Sequence, residues 1–190
     1  MKCRYLIVLF MLALLPGCAT TPPKPAMAPL GVNGPFGYSD QPIVQDRTSI
    51  SYTGPFVAVS ANSPRDDGRL QAELTKTYDL ALWRAAQLGQ QQGYASLKVD
   101  REQRDSDVEV SDEPIYRPIP NYAYGPCWGR CFGSPWWFND YYDVQRRAKA
   151  RAIIHLSIIY KRQFDPAEAG ASSIPALLSQ MQVKWATATY

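Results

Sequence analysis

Cysteine, histidine and clustered carboxylates are the side chains best able to do chemistry, and in this 190-residue chain most of them lie between residues 100 and 160. Cys127 and Cys131 enclose Trp128-Gly129-Arg130. A C-x3-C pair holds a metal only with two further ligands, and the single histidine, His155, is remote in sequence, so no metal site is expected. Thiol redox centres show C-x-x-C at a helix start, a spacing absent here. His155 interrupts an alternating apolar run and reads as a half-exposed strand histidine; a Ser-His-Asp triad needs partners that spacing alone does not single out. Asp105, Asp107, Glu109, Asp112 and Glu113 offer paired carboxylates for glycan hydrolysis, against the plainer reading of a solvated strand end. Arg146, Arg147, Lys149 and Arg151 make a short basic run, suited to anionic lipid or to a wet outer strand face. No catalytic residue is assigned, and without a Gly-rich phosphate loop no cofactor is implied.

Between the acids and the bases, residues 114 to 142 hold Tyr116, Tyr122, Tyr124, Trp128, Phe132, Trp136, Trp137, Phe138, Tyr141 and Tyr142, interrupted by five prolines and three glycines. Neither a helix nor a regular strand is expected, and 112–142 is read as an aromatic loop insertion. Two readings stand side by side. In one, Tyr122, Tyr124, Trp128, Trp136, Trp137 and Phe138 form an exposed platform that stacks on sugar rings or docks on peptidoglycan, a membrane or a protein. In the other, the insertion is a flap that buries its rings on the sheet.

Composition narrows the partners. A formal charge of +3 with dispersed lysines and arginines does not point to nucleic acid. A charged fraction of 19% beside 46% hydrophobic residues excludes a wholly disordered chain and fits one ordinary domain.

The amino terminus reads as an address. Lys2 and Arg4 precede an unbroken apolar run from Leu6 to Leu15, too short to span a hydrocarbon core about 30 Å thick. The run closes on Leu15-Pro16-Gly17-Cys18, which resembles the lipobox of bacterial lipoproteins, with Pro16 a less usual occupant of its middle position. The resemblance implies residues 1–17 as a signal peptide, diacylglyceryl transfer to the Cys18 thiol, cleavage before it, and acylation of the new amino group. A cysteine is needed because a thiolate is nucleophilic enough to take the lipid. Several acyl chains anchor durably, each buried methylene adding about 0.8 kcal/mol. Ala19 after the lipidated cysteine implies, by analogy with enteric lipoproteins, a periplasm-facing outer-membrane address. In that oxidising compartment Cys127 and Cys131 are expected to pair, a five-residue ring being worth about 2 kcal/mol.

The elements that must position these residues are legible in the periodicity. Prolines 22, 23, 25, 29 and 35 mark residues 18–36, the lipidated Cys and a Pro-rich stretch, as an extended tether. The single domain is expected over 37–190. Ile43-Val44 and Thr48–Tyr52 suggest a hairpin, with Phe56–Val59 continuing or bending it. Leu70, Leu74, Tyr78, Ala81, Ala85 and Leu88 lay one apolar stripe along a long helix, with Asp67 as cap and Gly93 past its end. Tyr94–Asp100 and Ala150–Lys161 alternate as strands, Ala150 to Tyr160 supplying the core face. Short helices are expected to start near Asp165 and near Ser173. Together these predict an α+β domain in which a mainly antiparallel sheet of about four strands is packed by one long helix.

Gly37-Tyr38-Ser39-Asp40, Tyr52-Thr53-Gly54, Leu82-Trp83-Arg84-Ala85-Ala86-Gln87-Leu88 and Gly93-Tyr94 together resemble a family of proteobacterial lipoproteins to which no reaction is assigned. The likeness covers roughly residues 37 to 110, more weakly 150 to 160. The functional expectation is a lipid-anchored envelope protein, touching the membrane through its anchor and peptidoglycan or an envelope protein through its domain, with a structural or interaction role. The alternative is a periplasmic enzyme acting on cell-wall glycan or peptide. An enzyme requires a concave pocket where acids or His155 converge; a scaffold leaves the acids splayed.

Overall fold

Burial alternates along β5 (Tyr142–Lys161), and the rest of the fold is arranged around that strand. Ala148, Ala150, Ala152, Ile154, Leu156, Ile158 and Tyr160 are buried, while the residues between them are half-buried or exposed. The computed structural model describes residues 26–116, 142–185 and 187–189. Within them, β1 (Gly37–Val44), β2 (Arg47–Thr53), β3 (Val57–Val59), α1 (Gly68–Gln91), β4 (Ser96–Tyr116), β5, β6 (Ala171–Ser173) and α2 (Ile174–Trp185) succeed one another in chain order. The strands pair antiparallel in the order β1-β2-β5-β4-β6, with β3 extending β2's flank along β5.

The chain is therefore α+β, as the periodicity predicts. It has six strands rather than about four, because β3 and β6 are three residues each, too short for alternation to show. A second helix, α2, shares the helical layer.

α1 starts where expected: the Asp67 carboxylate accepts from Arg69 N at 2.8 Å and from Ser60 N at 2.7 Å. It ends with Gly93 at φ +76, a left-handed position glycine occupies without strain. Its buried side is rotated from the predicted stripe. Leu70, Leu80, Ala81 and Ala85 face the sheet, but Asp79, Ala86 and Gly89 are also buried, because α2 covers that flank. A Cβ at Gly89 would meet Ile174 Cδ1 and the Tyr160 ring, so glycine is what lets the start of α2 approach α1.

Three expectations change. The tether of 18–36 is shorter at its far end: Ala26 and Ala28 are buried, Ala26 N donates to Ala188 O at 3.2 Å, and the Tyr52 hydroxyl donates to Ala26 O at 2.6 Å. Small side chains let this stretch lie against the core, so the folded domain begins by Ala26 and not at 37. The insertion of 112–142 is shorter too, since β4 runs to Tyr116 and β5 starts at Tyr142, paired in continuous register. Pro114 is admitted because β4 is an edge strand there. No helix starts at Asp165, whose carboxylate accepts from Ala167 N in a local turn; α2 begins at Ile174.

One irregularity matters for the face each side chain occupies. Val99 pairs with Ile158 and Arg101 with Ser157, leaving Asp100 as a bulge. Beyond it Arg104 faces the helices, its guanidinium 5.1 Å from the Tyr78 ring centre, while Gln103, Asp105 and Asp107 share the open face with His155 and Arg151.

Candidate interaction surfaces

Tyr38, Asp40, Gly54, Arg84 and Tyr94, five of the motif residues read in the sequence, lie where the sheet joins α1. Asp40 of β1 accepts from Arg84 Nε at 2.9 Å and Nη2 at 2.6 Å, and the same guanidinium lies 4.1 Å from the centre of the Tyr38 ring. Gly54 ends β2 close to the Thr77 and Glu73 side chains of α1, where a Cβ would stand 3.0 Å from both. Tyr94 stacks on Tyr160 at 5.1 Å between centroids and donates its hydroxyl to Gln45 O at 2.7 Å. Burial, and then the nearby Asp40 carboxylate, push the Tyr160 hydroxyl far above the usual phenol range, so it stays protonated and donates to Ala85 O at 3.0 Å. These residues bind sheet to helix. They are not free to act on a ligand.

His155 stands on the sheet face opposite the helices. Its Nδ1 lies 2.7 Å from Ser51 Oγ, and its Nε2 lies 4.0 Å from Asp105 Oδ2. All three members of a Ser-His-Asp set are thus neighbours, a meeting that strand register creates and linear spacing conceals. The arrangement is not that of a nucleophile relay. Asp105 accepts from Gln103 Nε2 at 2.7 Å instead of holding the imidazole, and 4.0 Å exceeds a hydrogen bond. A shallow groove of about 350 Å³ adjoins, lined by Arg47, Ser49, Asp100, Arg101, Gln103 and His155 among others. Only one carboxylate enters it.

The acids and bases of the sequence face each other. Along the β4–β5 ribbon Asp107 pairs with Arg151 at 2.7 Å, Glu109 with Lys149 at 2.8 Å, and Asp112 with Arg146 at 3.1 Å, each directly across the ladder. Glu113 reaches diagonally to Arg147 at 3.2 Å. Four of the five acids and all four bases are thus held in ion pairs, Asp105 being the exception. The sequence did carry the clue: each directly opposed acid–base pair has its midpoint at residue 129, the signature of antiparallel register.

A second groove, of about 460 Å³, opens between α1 and α2 and involves Trp83, Gln87 and Gln182. The amides among its residues fall outside the apolar stripe by which helices are read, so linear patterning does not mark them as a site. A third, of about 590 Å³, lies at the root of the ribbon beside Val59, Val110 and Ala148.

Cys18, the Cys127–Cys131 pair and the aromatic residues Tyr122, Tyr124, Trp128, Trp136, Trp137 and Phe138 lie outside the described residues. Among the described residues no group of three or more His, Cys, Asp or Glu is placed to hold a metal ion, and no helix is long and apolar enough to cross a membrane. Comparison with protein-family models, curated proteins and solved structures found no match to this chain.

Proposed function

We propose that the chain is a lipid-anchored protein of the bacterial cell envelope, held at the outer membrane through Cys18 and serving a structural or interaction role. The observation that carries this reading is the apolar run Leu6–Leu15 closing on Leu15-Pro16-Gly17-Cys18 after Lys2 and Arg4. The domain is consistent with tight tethering. Ala26 is packed in the core, so seven residues separate it from Cys18 and the leash spans at most about 28 Å. The domain would ride close to the lipid surface, with peptidoglycan or an envelope protein as its partner.

The alternative of a cell-wall enzyme draws less support. All of its candidate acids but Asp105 are held in ion pairs with facing bases, and the groove beside His155 on the open sheet face is entered by one acid, Asp100.

Two measurements test the reading. Cys18→Ser should release the protein from the membrane pellet into the soluble periplasmic fraction, and mass spectrometry of the wild-type amino terminus should show a modified cysteine. Continued sedimentation of the variant, or an unmodified thiol, refutes the anchor. For the Cys127–Cys131 disulfide, the ribbon register supplies support, since its midpoint at residue 129 is also midway between the two cysteines. Alkylation of denatured, unreduced Cys18→Ser protein should label neither cysteine; labelling of both overturns the pairing.

A further inference from the structure

We infer that the groove between α1 and α2 is a binding site for a neutral saccharide. On α1, Trp83, Gln87 and Gln90 stand at i, i+4 and i+7, one stripe of a helix. On α2, Pro175, Ser179 and Gln182 repeat that spacing, and the two stripes face each other across about 460 Å³. That volume lies in the range of small-ligand sites, about 300–1,000 Å³.

The walls are fixed at both ends. At one, Gly89 admits Ile174 against the Tyr160 ring. At the other, the buried Asp79 accepts from Lys184 Nζ at 2.6 Å and from Trp185 Nε1 at 3.1 Å. Because Ile174 opens α2 and Lys184 lies near its close, the helices run antiparallel, and the groove is the interval between two clamps. Preorganisation of this kind lowers the ordering cost of binding.

Lining chemistry selects the ligand. No lining residue is charged, in a chain where lysine, arginine, aspartate and glutamate make up 19% of residues. Gln87, Gln90 and Gln182 each present an amide that both donates and accepts, and among the described residues none of these side chains, nor the Trp83 indole, forms a hydrogen bond within the protein. Ser179 Oγ already donates to Pro175 O, leaving its lone pairs as acceptors. An indole beside paired amides, without charge, suits a ring that is apolar on one face and ringed by hydroxyl or acetamido groups: a sugar. A charged ligand would find no counter-ion here, and a purely apolar one would strand three amides.

The inference deepens the interaction reading without depending on lipidation, so an unmodified Cys18 would leave it standing, and an empty groove would leave the anchor standing. It is tested with the full mature chain in a sugar-free zwitterionic detergent, titrated with triacetylchitotriose, with maltotriose and with an uncharged tripeptide, by saturation-transfer NMR and calorimetry. At least one saccharide should bind with a Kd of about 1 mM or tighter. Gln87→Ala and Gln182→Ala, whose side chains support no packing clamp, should each weaken it about fivefold, and Trp83→Ala about tenfold. If Trp83→Ala does not fold, the two glutamine variants carry the test. Saccharide binding unchanged in both glutamine variants would place the contact elsewhere, the aromatic segment included, and overturn the proposal. So would no saccharide binding up to about 20 mM, or binding of the tripeptide alone.

Discussion

β4 and β5 pass through two regions that hold together by different physics. From Ala148 to Tyr160 every second side chain of β5 is buried under α1, and the joint is closed by Arg84 gripping Asp40 with both groups mostly shielded from water. Toward Tyr116 and Tyr142 the helices have ended, β3 has stopped at Val59 opposite Ala148, and the two strands continue alone. There Asp112–Arg146 and Glu113–Arg147 are more than half exposed on both sides, as is Glu109–Lys149 at the boundary, where Lys149 still pairs with Ala58 of β3. Such pairs contribute about 0–1 kcal/mol apiece. Their value is register and solubility: an unpaired edge as long as that of β4 is an aggregation hazard, which a run of charge blunts. The same two strands thus owe stability to burial at one end and specificity to charge at the other.

Core truncation separates the regions most sharply. Ile154→Ala, under α1, should cost about 3 kcal/mol in a urea melt, whereas Val110→Ala on the ribbon, 52% exposed, should cost less than about 0.5 kcal/mol. Equal losses would mean that the ribbon is covered as deeply as the body. Gly89→Leu comes next at about 2 kcal/mol, because Ile174 and Tyr160 must yield to the new side chain. Arg84→Ala strands the Asp40 carboxylate, whose Oδ1 already has no partner, and should cost about 2 kcal/mol; adding Asp40→Ala should restore part of it. Asp112→Ala and Glu109→Ala together should change stability by about 0.5 kcal/mol or less, and adding about 0.5 M salt should barely move the melting temperature.

The smallest effect is acid-dependent. Hydrogen bonds from Arg69 N and Ser60 N hold the Asp67 carboxyl below its ordinary value, and the Lys161 ammonium does the same for Glu168. A depressed carboxylate adds stability that is complete above its unfolded value and is lost as pH falls through the folded one. Stability should therefore decline modestly below the ordinary carboxyl range, and Asp67→Ala should flatten that decline when melts at neutral and acid pH are compared.

Legibility from the sequence divided along the same line. The core face of β5 and both ends of α1 could be read because burial imprints a period and caps have side-chain signatures: Ala150 to Tyr160, Asp67, Gly93. Ala26 and Ala28 could not, since alanine beside proline looks the same in a leash and in a core contact. The ribbon was hidden behind its own prolines and aromatics, although the acids and bases were complementary about residue 129. Ser51 and Asp105 flank His155 only through strand pairing, which no linear spacing displays. Gln87 and Gln182 escaped because a search for apolar stripes passes over amides, and Trp83 was read only as widening the apolar stripe of α1.

Asp100 settles the polarity of everything beyond it. As the one unpaired residue between Val99 and Arg101, it shifts the parity of β4, so that odd positions point inward before it and outward after it. Had Asp100 instead taken its own rung opposite Ser157, strict alternation would have turned Asp105 and Asp107 in toward the helices and sent Val108 out into water. One residue left out of the ladder thus acts as a comma in the strand, and the lettering beyond it makes sense only with that pause in place.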